Sequence, residues 1–150
     1  MDNDDGSSYY YTHDNFFSYG GGGLKNDFQG HDNVWEGNAV MFIDQYCIHN
    51  GYGGHMDPVL PGHEQVLVGN LCVVNHDQDY GLPQCTGDDK SVMANNTVYS
   101  PTGNVTECGM PLAQWQAQGN DQGTTAHAFA DGDLPGLAIA WARAKIFRRN

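Results

Sequence analysis

Long apolar runs are missing from this 150-residue chain: no window approaches ~18 consecutive apolar residues, so no membrane-spanning helix is expected. Basic residues are scarce, six Lys plus Arg against 18 Asp plus Glu, and the formal net charge is −12. Such a surface repels phosphate backbones, which argues against nucleic acid as a partner, and no membrane partner is expected either. A polyanionic sugar would be repelled too, unless calcium or a local basic patch intervened. Helical periodicity is nearly absent until the C-terminal part, which argues against a bundle. The four cysteines, Cys47, Cys72, Cys85 and Cys108, show no Cys-x-x-Cys spacing, which argues against a zinc knuckle. No GxSxG elbow, P-loop, HExxH or dinucleotide fingerprint occurs. An EF-hand and an RTX-type nonapeptide are missing as well.

What is present is glycine, 20 residues of it, together with short apolar stretches that each follow an asparagine. Asn15 leads into Phe16-Phe17-Ser18-Tyr19, Asn38 into Ala39-Val40-Met41-Phe42, Asn70 into Leu71-Cys72-Val73-Val74, and Asn96 into Thr97-Val98-Tyr99-Ser100, at spacings of 23, 32 and 26. "HDNVWEGNAVMF" (31 to 42) aligns with "HEQVLVGNLCVV" (63 to 74) and more loosely with "DKSVMANNTVYS" (89 to 100). Short strands joined by a small or polar corner residue and Asn, at periods of twenty to fifty residues, predict a solenoid. The fold class expected is an all-β, right-handed parallel β-helix of about four to five coils over 1–110, with a helical cap over 111–150. Coils stacked ~4.8 Å apart would let Asn15, Asn38, Asn70 and Asn96 bond up the stack as a buried ladder. Phe17, Val40, Cys72 and Val98 would form one interior row. The unequal spacings read as loops inserted on one side, and "GGGG" (20 to 23) as a passage between strands.

The cap is expected in two pieces. Pro111 opens "PLAQWQAQ", a short helix that Gly119 ends. Asp133 then precedes a longer helix, apolar at Leu137, Ala140, Trp141 and Ala144, with a basic end that complements the helix dipole. The N-terminal end shows no comparable cap, so self-association through an open first coil is a further expectation.

The same register brings acids together. A spacing of 23 places Asn3 over Asn26 and Asp4 over Asp27. Two carboxylates on adjacent coils divide into a protonated acid and an ionised base, the arrangement that glycoside hydrolysis uses. Asp5 adds a carboxylate and Lys25 a cation beside them. His31 falls over His63 and Asp32 over Glu64, a polar strip for acid–base work or sugar binding. Tyr9, Tyr10, Tyr11, Tyr19 and Tyr52 supply flat faces for pyranose rings. Turn-closing roles remain open for Asp4, Asp27, His31 and His63. No cofactor is expected, with calcium on stacked carboxylates and loop carbonyls the one alternative.

Two sequons, at Asn95 and Asn104, and an even number of cysteines favour an oxidising compartment and glycosylation. Met1-Asp2-Asn3-Asp4-Asp5 is the reverse of a signal peptide, and the reading is a secreted protein whose true N-terminus lies upstream. Spacings of 23 and 25 suggest Cys85 with Cys108 and Cys47 with Cys72, though three connectivities are open.

"NDDGSSYY" (3 to 10), "KNDFQGHDN" (25 to 33), "PGHEQVLVGN" (61 to 70), "PTGNVTECGMPLAQWQAQGND" (101 to 121) and "WARAKI" (141 to 146) resemble a family of secreted eukaryotic proteins. These are right-handed parallel β-helix proteins of the pectate-lyase-like class, and the likeness is to their C-terminal portion. "DDGSS" also resembles a motif of β-helix glycoside hydrolases. That implies catalytic roles for Asp4 and Asp5, with Asp27 and His31 matching less closely. The repeat register and the residue types, apart from the resemblance, make Lys25, His63, Glu64 and Tyr52 the candidates for substrate contact. The expected function is hydrolysis of a polysaccharide or other glycan. The alternative is a non-catalytic extracellular module that binds glycan or self-assembles.

Overall fold

The computed structural model describes residues 1–3, 6–27, 30–51, 62–82, 91–130 and 132–146. They form a parallel β-solenoid of three strands per coil. Coil one holds β1 (Asp2–Asn3), β2 (Tyr11–His13) and β3 (Phe16–Ser18). Coil two holds β4 (Leu24–Asp27), β5 (Val34–Glu36) and β6 (Ala39–Ile43), and coil three β7 (Ile48–Gly51), β8 (Val66–Val68) and β9 (Leu71–Val74). Coil four holds β10 (Gly81–Leu82), β11 (Val92–Ala94) and β12 (Thr97–Ser100). Three sheets result, in the orders β1-β4-β7-β10, β2-β5-β8-β11 and β3-β6-β9-β12. A hairpin of β13 (Thr106–Glu107) and β14 (Met110–Pro111), helix α1 (Leu112–Ala117), β15 (Thr125–Ala128) and helix α2 (Leu134–Ile146) follow. β15 extends the third sheet beyond β12.

Corner chemistry explains the coil shape. Between the second and third strands each coil turns at a residue with left-handed backbone: Asp14, Gly37, Gly69 and Asn95, with φ between 54 and 63. Gly, Asn and Asp reach that conformation at least cost. The next residue in every coil is the aligned asparagine. Asn38 Oδ1 accepts from the Asn15 backbone N–H (3.1 Å), Asn70 Oδ1 from that of Asn38 (3.0 Å), and Asn96 Oδ1 from that of Asn70 (2.9 Å). The ladder ends where the Asn96 N–H donates to Thr124 Oγ1 at 2.9 Å. Asn38, Asn70 and Asn96 are buried, while Asn15, the outermost rung, is exposed. A second, shorter ladder precedes β2, β5 and β8: Asn33 Oδ1 accepts from the Tyr10 N–H (2.9 Å), and Gln65 Oε1 from the Asn33 N–H (3.2 Å).

Alternate residues point inward, as strand geometry requires. Thr12, Trp35, Leu67 and Met93 form one interior column, and Phe17, Val40, Cys72, Val98 and Ala126 another. Cys47, just before β7, and Cys72 in β9 are disulfide-bonded inside the core and tie the first-sheet side of coil three to its third-sheet side.

The two C-terminal helices do different things. α1 sets Leu112 into the solenoid core, with Trp115 buried beside it, and closes the last coil. α2 lies along the outer face of the third sheet: Leu134, Leu137, Ala138 and Trp141 pack on Ala39, Met41, Val73 and their neighbours. Trp141 reaches Phe16 in coil one (ring centroids 5.9 Å), and Lys145 forms an ion pair with Asp14. A helix of 13 residues is ~20 Å long, close to four coil spacings of ~4.8 Å. The buried stripe is rotated from the one expected, since Ala140 and Ala144 face solvent. Burial on a sheet selected the face that also carries Leu134 and Lys145.

Candidate functional site: a histidine–aspartate corner

The polar strip expected from the repeat forms at the corner between the first and second sheets. Segments 31–38 and 63–70 are equal in length, so the register that stacks Asn38 on Asn70 also stacks His31 on His63. The Asp32 backbone N–H donates to the His63 carbonyl (3.1 Å), and the Tyr9 N–H to the His31 carbonyl (3.3 Å). Coils one, two and three are thereby joined across this corner. Tyr9 and Asp32 both take left-handed backbone, φ 66 and 54.

That turn carries the Asp32 carboxylate between the two imidazoles. Its Oδ2 lies 2.7 Å from His31 Nδ1 and 2.7 Å from His63 Nδ1. The rings stand nearly perpendicular, with centroids 5.8 Å apart, and the Tyr9 ring meets His31 edge-on at 5.3 Å. Hydrogen bonds from His63 and then His31 hold the Asp32 carboxyl below the ordinary carboxylate range. Glu64 is lowered as well, chiefly by the Gly62 N–H, which donates to its Oε1 at 2.9 Å. Both carboxylates are therefore ionised at neutral pH, and neither serves as a general acid. When both rings are neutral and donate Nδ1–H to Asp32, each presents an Nε2 lone pair outward.

The corner borders an open face. On the outside of the second sheet Tyr11, Val34, Val66 and Val92 form one column, and His13, Glu36, Val68 and Ala94 the next. Tyr11 stacks on His13 (4.4 Å) and donates its hydroxyl to Glu36 Oε2 (2.5 Å). Tyr9 is 74% exposed and Tyr19 79%, the latter stacked on Phe42 at 4.7 Å on a different corner.

Other expected site residues are dispersed. Asp4, Asp5, Tyr52 and Cys85 lie outside the described residues, as does the side chain of Asp27, whose backbone pairs with Gly51 in β4 and β7. Asn3 does pair with Asn26, in the register on which the Asp4–Asp27 pairing was counted. Lys25 occupies the outer face of the first sheet between Asp2 and His49. Asn95 and Asn104 are exposed. Cys108 turns the β13–β14 hairpin with Gly109, both at positive φ.

One polar centre was not foreseen. Tyr80 donates its hydroxyl to Asp121 Oδ2 (2.7 Å), and buried Glu107 accepts the Gly81 N–H at 2.7 Å. Burial raises the carboxyl pKa of both Asp121 and Glu107, the latter strongly. These groups close the ladder from inside, and no aligned repeat announces them.

Compared with known proteins, the chain matches no family model, no curated protein and no solved structure. What the structure carries of the resemblance is the parallel β-solenoid itself. The Cys47–Cys72 bond is compatible with an extracellular setting. Among the described residues, no helix is long and apolar enough to cross a membrane.

Proposed function

We propose that this protein is a carbohydrate-binding β-solenoid that takes a neutral polysaccharide along the corner carrying Tyr9, His31, Asp32, His63 and Glu64. The observation that carries the reading is the stacking of these groups coil upon coil, in the open, beside a flat face of Tyr11 and valines. An extended polymer meets a flat ring, imidazole and carboxylate hydrogen-bonding groups and apolar surface at a repeat of ~4.8 Å. A net charge of −12 favours neutral chains over uronates.

Hydrolysis is the second reading, favoured by two imidazoles sharing one carboxylate and by the Asn3–Asn26 register from which Asp4 and Asp27 are counted as a pair. It requires an acid other than Asp32 or Glu64, and Asp4, Asp5 or Asp27 would supply it. The pectate-lyase-like kinship and secretion belong to the same proposal.

A panel of neutral and uronic polysaccharides in affinity gel electrophoresis tests binding, with reducing ends followed in parallel. Retardation on neutral polymers that is lost in Tyr9→Ala and His63→Ala is the expected result. A folded chain that no polymer retards, or retardation unchanged in both variants, overturns the binding reading. Reducing ends released by the wild type and abolished in Asp27→Asn identify a hydrolase; none released leaves a binding module.

A further inference from the structure

We propose that His31, Asp32 and His63 together form a binding site for a divalent transition-metal ion of borderline softness, such as Zn2+. This goes beyond glycan recognition and does not depend on it. The three side chains bring two imidazole nitrogens and one carboxylate oxygen within 4.8 Å of one another, the one such group among the described residues. In a tetrahedral zinc site, bonds of ~2.0–2.1 Å set donors about 3.3 Å apart. Asp32 Oδ2 is now 2.7 Å from each Nδ1, so an ion enters when both neutral rings carry their proton on Nε2, which frees the Nδ1 lone pairs, and the donors spread by roughly half an ångström, a small side-chain rotation for groups of this exposure.

The backbone beneath the donors is already ordered. The Asp32 N–H is bonded to the His63 carbonyl, the Tyr9 N–H to the His31 carbonyl, and the His31 N–H to Ser8 Oγ at 3.3 Å. Each ligand therefore sits on a solenoid rung, and binding orders only side chains. Pre-organisation of that kind raises affinity by lowering the entropy lost. The left-handed turn at Asp32 is what puts consecutive residues 31 and 32 on the same side. His31, Asp32 and His63 side chains are 37%, 25% and 46% exposed, so further coordination positions face water, as in zinc sites that keep a position open.

Donor chemistry selects the ion. Calcium and magnesium take six or more oxygens, whereas imidazole nitrogens suit zinc, copper and nickel. The pair His13–Asp14 makes a useful contrast. It offers one imidazole, at 3.1 Å, and its carboxylate is already held by the Lys145 ammonium, a charge that repels a second cation. At the His31–Asp32–His63 corner both basic groups are neutralisable ligands.

Titration of the intact chain with Zn2+ and Co2+, followed by calorimetry and by the visible absorption of cobalt, tests the assignment. One equivalent is expected to bind, with His31→Ala, Asp32→Ala and His63→Ala each weakening it by about a hundredfold or more, since loss of an outer-shell partner alone costs 10–100-fold. His127→Ala, at the far end of the solenoid, should leave binding unchanged. On the wild type, Co2+ should shift and broaden the ring resonances of His31 and His63 selectively, a readout that needs no variant. No stoichiometric binding, binding that survives His63→Ala, or Ca2+ competing for the same site would each overturn the proposal. Metal titrations are run without glycan and the glycan gels are repeated with chelator, so failure of one reading leaves the other standing.

Discussion

Replacing Asn70 by alanine isolates what the asparagine ladder contributes. The Asn70 carboxamide Oδ1 accepts from the Asn38 backbone N–H (3.0 Å) and side-chain amide (3.1 Å). Its Nδ2 donates to the Trp35 carbonyl (3.0 Å) and to Asn96 Oδ1 (3.2 Å). In Asn70→Ala the Asn38 side-chain amide keeps its bond to Thr12, but the Asn38 backbone N–H loses its acceptor inside the protein. An orphaned buried donor costs about 1–3 kcal/mol, and the bonds to Trp35 and Asn96 about 1 kcal/mol each. A total of about 3–5 kcal/mol is a large share of the ~5–15 kcal/mol that holds a domain folded. At ~2–4 °C per kcal/mol for a chain of this size, the melting temperature should fall by roughly 10 °C. Asn15→Ala is the matched control, an exposed rung whose partners water replaces, with an expected cost of about 0.5–1 kcal/mol. Urea unfolding of both variants, followed by circular dichroism, measures the difference. Equal costs for Asn70 and Asn15 would refute the argument that the buried rungs give the ladder its strength.

Four further outcomes follow from other parts of the solenoid. Glu107 is buried with a raised pKa, so folding takes up a proton. Its contribution is whole below the unfolded carboxyl pKa and is lost as pH rises toward the folded one. Unfolding free energy should therefore decline above about pH 4.5, by at most ~1.4 kcal/mol per pH unit from this group. Glu107→Gln should flatten that decline, and parallel pH curves would contradict the assignment. Removing the Cys47–Cys72 bond, which closes a loop with a sequence separation of 25, should cost about 3.5 kcal/mol by loop entropy, read as a shift in denaturant midpoint for Cys47→Ala/Cys72→Ala. Gly69 has φ +63 and open space around it, so Gly69→Ala should cost about 1–2 kcal/mol while Gly69→Asn stays near neutral, matching Asn95 in the same column. Trp141→Ala should loosen α2 at a cost of about 2 kcal/mol, less than a fully buried tryptophan, and expose the C-terminal helix to limited proteolysis.

Much of the coil was legible because its signals are local. A left-handed corner needs Asp, Gly or Asn, and a buried amide needs the same amide one coil away, so both constraints recur in the sequence at every turn. Phe17, Val40, Cys72 and Val98 followed from the same alignment. The Asn33–Gln65 rung stood in that alignment too, five residues before Asn38 and Asn70, but Gln against Asn hides a ladder that the structure makes plain. The Tyr80–Asp121–Glu107 centre left no trace, because it joins segments of unequal length that no repeat aligns.

The coil period, its corners and its interior rows are written in the chain, since each depends on the conformational preference of a few adjacent residues repeated along it. The stacking of His31 on His63 is written there too, because equal segments separate each from its ladder asparagine. The turn of Asp32 between the two imidazoles arises in the fold, from its left-handed backbone held by the neighbouring coil. So does the path of α2 along the third sheet to Asp14 and Phe16. An apolar helix stripe fits any apolar face, and which face it takes depends on partners far away in the chain, from Asp14 and Phe16 to Val73.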